Sequence, residues 1–150
     1  MRLMVLSLRN KWESNVQEQG PRGPLAGVRI IDMTAVVLGP LATQILGDYG
    51  ADVIKIEPLE GDLMRANGAQ KADGSTAGLS SIFLAINRNK RSLAIDLKSE
   101  DGRAAVRKLV AGADAFVHNM RVDAIERLGF GYEALRALKP DLVYCVATGF

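Results

Sequence analysis

The chain has 150 residues, enough for one domain with its own core, and 19 basic against 17 acidic residues leave a formal charge of +2. That balance falls short of the dense positive field of a nucleic-acid binder, and 5% aromatic residues offer little for stacking bases. The single cysteine, Cys145, excludes an internal disulfide and suits a reducing cytoplasm, and no apolar run reaches the length of a membrane span.

Residues 1–23 read as a flexible polar extension ending in "GPRGP". Its apolar run is short and broken by Ser7, Arg9 and Lys11, and no small-residue cleavage site follows, so it does not read as a signal peptide. From Pro24 the pattern is that of a folded domain. "GVRIIDMT" predicts a strand at 28–33. In "LGPLATQILGDYG", Gly39 suits a helix cap, Pro40 the first turn and Gly50 the exit. Leu41, Ile45, Leu46 and Tyr49 fall on one face of that helix. "DVIKIE" predicts a strand at 53–57, completing a parallel βαβ unit of about thirty residues.

A Gly-, Asp-, Asn- and Ser-rich loop covers 58–80, and "SIFLAIN" predicts one or two helical turns. "SLAIDL" predicts a strand at 92–97. The next helix has Ser99 as N-cap, with Glu100 and Asp101 in its first turn, where the helix dipole favours anions. "DAFVHN" predicts a fourth strand, "VDAIERLG" and "YEALRAL" two short helices, and "DLVYCVAT" a fifth strand that buries Cys145. This alternation predicts an α/β fold: a Rossmann-like, mostly parallel sheet with helices on both faces. The chain stops directly after a buried-looking strand, which reads as the truncated part of a larger domain.

In such a fold, ligands bind beyond the carboxyl ends of the strands. "TAVVLGP", "EPLEGD", "DLKSED" and "HNMRVD" all lie there. The first leads into a helix N-terminus, which suits a phosphate or another anion. It lacks the G-x-G-x-x-G of a nicotinamide site, although Glu57 stands where a dinucleotide fold keeps its ribose-binding acid. His118 has no Asp, Glu or Cys at metal-ligand spacing and reads as structural, and no G-x-S-x-G turn marks a hydrolase. The stretch "NRNKRS" at 87–92 reads either as a solvated cationic turn or as a phosphate site. With Lys98, Arg121 and Arg127 near other strand ends, Arg88, Lys90 and Arg91 suit a compact ligand with several phosphates better than a long duplex.

Taken together, "GPLAGVRIIDMT", "GPLATQILGDYGADVIKIEPLEGDLMR", "NRNKRSLAIDLKSEDGR" and "RLGFGYEALRALKPDLVYC" resemble the N-terminal part of the family III CoA-transferases. That family includes formyl-CoA, succinyl-CoA and carnitine CoA-transferases and the related 2-methylacyl-CoA racemases. The resemblance covers residues 24–150. It implies that they form the CoA-binding part of the family's large domain, with coenzyme A or acyl-CoA as substrate and no metal. Carried across, the CoA contacts are Val37 and Leu38 in the first βα turn, then Ile95, Asp96, Leu97 and Lys98 at a strand end. They continue with Asn119, Met120 and Arg121, and with Arg127. Lys90 and Arg91 match the family's Lys-Arg pair and are expected to add charge near the phosphates. The family's "ENFRPG" is "HNMRVD" here, so His118, Met120, Val122 and Asp123 replace Glu, Phe, Pro and Gly. Ala35 stands where the family often has a polar or basic residue.

The resemblance also implies an acyl-CoA:carboxylate CoA-transferase that passes CoA between carboxylic acids through an aspartyl intermediate. That aspartate is expected beyond residue 150, so no residue here is assigned a catalytic role. The implied partners are an acyl-CoA and a small carboxylic acid, within an interlocked cytoplasmic homodimer that binds neither nucleic acid nor membrane. Two alternatives remain at this point. One is a 2-methylacyl-CoA racemase, whose catalytic histidine would fall before "TGF", where this chain has none. The other is a non-catalytic fragment.

Overall fold

The structure is a computed structural model that describes residues 23–67 and 79–148. Residues 1–22 of the expected 1–23 extension and the middle of the 58–80 loop lie outside the described residues. Five strands form one parallel sheet: β1 (Arg29–Met33), β2 (Asp52–Glu57), β3 (Lys90–Ala94), β4 (Ala115–His118) and β5 (Val143–Val146). Their spatial order is β3-β2-β1-β4-β5. The order reverses at β1, so the crossovers diverge there and open a crevice at the carboxyl ends of the strands. The helices are α1 (Leu38–Asp48), α2 (Ser81–Asn87), α3 (Glu100–Ala111), α4 (Val122–Arg127) and α5 (Tyr132–Leu138), with a short 3₁₀ turn at Leu63–Arg65. Among the described residues, no helix is long and apolar enough to cross a membrane.

Register and the period-two alternation of strands sort the side chains between two unlike faces. Ile31 lies opposite Ile54 and Phe116. These three pack with Met33, Ile56, Val106 and Val110 of α3, Ile125 of α4 and Leu135 of α5 into the main core. The other face starts apolar, with Ile30, Val53 and Val117 around Leu46 of α1. Toward the carboxyl ends it turns polar: Asp32, Lys55 and Glu57 are all buried. A buried charge is stable only when paired and hydrogen-bonded, so this face must supply partners.

That requirement explains how α1 sits. Its inward face is Gly39, Pro40, Thr43, Gln44 and Gly47, while Leu41, Ile45 and Tyr49 are 42%, 44% and 53% exposed. Of the four apolar residues expected on one face, Leu46 alone packs inward. The helix lies close over a polar sheet. Thr43 donates to Asp32 at 2.7 Å, and a Cβ on Gly39 would stand 2.4 Å from that of Thr34.

Two further expectations shift. β3 begins at Lys90, not 92, and ends at Ala94. The chain turns at Asn89, whose φ of 61° suits an asparagine. Lys90 and Arg91 then pair in register with Val53 and Ile54, so half of the cationic stretch is strand. Cys145 is exposed, because β5 lies at the sheet edge, with Val143 64% and Val146 42% exposed beside it.

Candidate functional site

A cleft of about 470 Å³ opens at the carboxyl ends of β1 to β4. That is within the usual range for a small-molecule site. Its walls are Thr34 and Ala35 after β1, Pro58 to Glu60 and Asp62 after β2, Ile95 to Lys98 after β3, and Asn119 and Met120 after β4. Met33, Ile56 and Leu128 make its floor apolar. A larger hollow of about 600 Å³ lies at the amino ends of the strands. It is shallow, and its charges neutralise one another: Arg29 and Arg91 both pair with Asp52, at 2.8 and 2.6 Å. Parallel sheets take ligands at the carboxyl edge, so the smaller cleft is the candidate site.

Helix α3 holds the wall at 95–98. Ser99 caps the helix by accepting from Gly102 N at 3.1 Å, and it donates to the Asp96 carbonyl at 2.8 Å. Asp96 Oδ1 accepts from Lys98 N at 2.9 Å, closing a local turn. Arg103 donates to the carbonyls of Leu97 and Lys98. With the backbone tied down in this way, the exposed Lys98 side chain is presented at the cleft mouth.

The opposite wall is held from β4. Asn119 accepts from Ala35 N at 2.9 Å and donates to Ala35 O at 2.8 Å, joining the ends of β4 and β1. His118 is buried beneath Met120. Its Nδ1 accepts from Met120 N at 3.2 Å, and its Nε2 lies 2.9 Å from the Tyr144 hydroxyl, which donates to Phe130 O. This pattern assigns the His118 proton to Nε2, since the tyrosine proton is already used. Burial pushes the His118 pKa down. The neutral ring therefore props the cleft wall, in keeping with its structural reading.

A pH prediction follows. The unfolded chain protonates His118 below about pH 6.5, while the folded chain does so only at lower pH. Stability should therefore fall as pH drops through that value and on toward the lower folded pKa. Urea denaturation at pH 7 and pH 5.5 should show a smaller drop for His118→Gln than for the wild type. Equal drops would contradict this account of the ring.

β2 supplies one buried and one partly buried ion pair beside the cleft. Lys55 lies 2.8 Å from Asp62 and donates to Thr34 O at 2.7 Å. Glu57 accepts from Arg65 at 2.7 and 2.8 Å, and also from Ser92 and from Asp62 N at 2.9 Å. Burial alone would raise the Glu57 pKa, but Arg65, Ser92 and the Asp62 amide outweigh it and lower the value to about 2. The carboxylate of Glu57 is therefore spent on the fold, not offered to a ribose. Sequence reading missed Lys55 and Asp62 as site residues. The available signal was a charge at alternate positions of the apolar "VIKIE" strand, which demands partners.

Of the residues carried over by resemblance, Ile95, Asp96, Leu97, Lys98, Asn119 and Met120 converge on the cleft. Val37 and Leu38 follow its edge at the start of α1, 41% and 64% exposed, outside the lining. Arg121 sits at the N-cap of α4, and Arg127 pairs with Asp123 at 2.8 Å on the surface. Lys90 and Arg91 are not brought to the cleft. Lys90 is buried on Asp32 at 2.9 Å, and Arg91 is bound to Asp52 at the amino end of β3. Neither side chain is among the residues that line the cleft. Among the described residues, no group of three or more His, Cys, Asp or Glu side chains is placed to hold a metal ion.

A doubly wound parallel sheet with a partly apolar cleft at its switch point has its ligand site where such folds carry one. Residues 25–150 match the family model for CoA-transferase family III, and the chain belongs to that family. It is 46% identical over 131 residues to a succinate–glutarate CoA-transferase of Agrobacterium fabrum, covering 85% of this chain and 32% of the relative. It is 41% identical over 128 residues to a succinyl-CoA:mesaconate CoA-transferase of Haloarcula hispanica, again covering 85% and 32%. The crystal structure of a CAIB/BAIF family protein from Brucella suis superposes with a TM-score of 0.80 at 41% identity, covering 85% of this chain and 34% of that one. The chain thus spans about a third of the length of the curated relatives it matches.

Proposed function

We propose that this chain provides the CoA-binding part of an enzyme that transfers CoA between carboxylic acids. The observation that carries the reading is convergence. Ile95 to Lys98 and Asn119 and Met120 lie on separate motifs, yet they meet in one cleft of ligand size at the switch point. The apolar floor suits the adenine or pantetheine of CoA, and Lys98 at the mouth suits a phosphate. The names of the relatives favour short dicarboxylic acids as acceptor and donor acids. No nucleophile is assigned here. The aspartates at the cleft are already engaged: Asp62 faces Lys55, and Asp96 accepts from Lys98 N. By resemblance, the attacking aspartate lies outside residues 1–150, and the working enzyme is a cytoplasmic homodimer. The racemase reading needs a histidine before "TGF", where this chain has none.

Titration calorimetry of the full chain with CoA tests this reading. CoA should bind, and Lys98→Ala should weaken binding about tenfold, the usual worth of a charge-assisted phosphate contact. Lack of binding at millimolar CoA would overturn the reading.

A further inference from the structure

The turn that follows β1 has a strained backbone. Val36 has a φ of 70°, a left-handed conformation that a β-branched residue rarely adopts. Such a residue persists only where its surroundings over-determine it. The ties lie on both sides of Val36. Before it, Asp32 Oδ1 accepts from the amide and hydroxyl of Thr34, Lys55 donates to Thr34 O, and Asn119 grips both backbone groups of Ala35. After it, Lys90 Nζ donates to Pro40 O at 2.8 Å, and Thr43 donates to Asp32 Oδ2 at 2.7 Å. The 2.9 Å bond from Lys90 to Asp32 Oδ2 joins the two sets. The third Lys90 proton goes to Asn87 Oδ1 at 2.9 Å, so every donor of the ammonium is used.

We propose that Lys90, acting through Asp32, is a positioning residue that holds the turn at 34–40 in the shape the cleft requires. The inference rests on the reading of that cleft as a CoA site. Thr34 and Ala35 line the cleft, so the set of the turn is the set of its wall. A buried ion pair is a poor source of net stability, since a well-packed apolar pair often does as well. What it adds here is direction: Lys90 reaches Pro40 and Asn87 together, and Asp32 reaches Thr34 and Thr43 together. A cation that reads in sequence as surface charge thereby becomes an internal strut.

The test uses the full chain with the double variant Asp32→Asn/Lys90→Met, which leaves no unpaired buried charge, and the milder Thr43→Val should the double variant not fold. The first readout is amide hydrogen exchange of the ligand-free protein. Exchange at the amides of Ala35 and Leu41, which are bonded to Asn119 and to Val37 O, should quicken about tenfold, while residues 115–118 of β4 stay unchanged. The second is CoA affinity by calorimetry, below the melting range. It should fall about tenfold and recover when Val36→Gly is added, because glycine takes a left-handed φ without steric cost. Exchange that quickens equally in β4, or a folded variant with unchanged exchange and affinity, would overturn the proposal. A wild-type chain that does not bind CoA would instead overturn the CoA reading, and the exchange arm alone would then decide the role of Lys90.

Discussion

Asp32→Ala should cost about 3–5 kcal/mol of folding stability, the usual consequence of removing one partner from a buried ion pair. Asp32 is fully buried and accepts from Thr34, Thr43 and Lys90. Without its carboxylate, the ammonium of Lys90 keeps only two neutral acceptors, Pro40 O and Asn87 Oδ1. Domains of this size hold about 5–15 kcal/mol in total, so the variant would be marginal. Urea denaturation followed by circular dichroism measures the loss. Adding Lys90→Met should restore much of it, because the unpaired charge is then gone. A loss below about 1 kcal/mol for Asp32→Ala would mean that water reaches the pair.

Gly102→Ala should destabilise the protein by about 1–3 kcal/mol and weaken CoA binding together with it. Helix propensity alone predicts the opposite sign, a gain of up to about 1 kcal/mol. Sterics decide. A Cβ at this position would lie 2.0 Å from the Asp96 carbonyl oxygen, and neither backbone can yield easily. Relief would require α3 to move away from the 95–98 wall. Gly112→Ala is the control: its φ is −104° and its nearest neighbour would be 3.8 Å away. It should change stability by less than about 1 kcal/mol. If Gly102→Ala proves as stable as Gly112→Ala, the wall is looser than its hydrogen bonds imply.

Much of this architecture was legible in the chain itself. The strand–helix alternation and its caps predict the sheet, and Ser99 caps α3 as its position implies, with Glu100 and Asp101 in the first turn. The family motifs mark the 95–98 and 119–120 walls. The pairing of charges was not legible. Lys90 stands 58 residues from Asp32, and local sequence looks the same for a solvated lysine and a buried one. Arg91 lies next to Lys90 yet points to the opposite face, onto Asp52 at the amino end of β2, because successive residues of a strand face opposite ways and the strand starts earlier than expected. The orientation of α1 failed for the same reason. Its apolar stripe suggests a core face, but a sheet bearing Asp32 and Lys90 needs Thr43 and a glycine more than it needs leucines.

CoA is expected to occupy the cleft at the carboxyl ends of β1 to β4. A crystal structure of the full chain grown with CoA tests it most directly. CoA is expected between the 58–62 and 95–98 walls, with a phosphate near Lys98 and part of the ligand against Met120. CoA seated in the hollow between Arg29, Asp52 and Asp114 at the amino ends of the strands would contradict it.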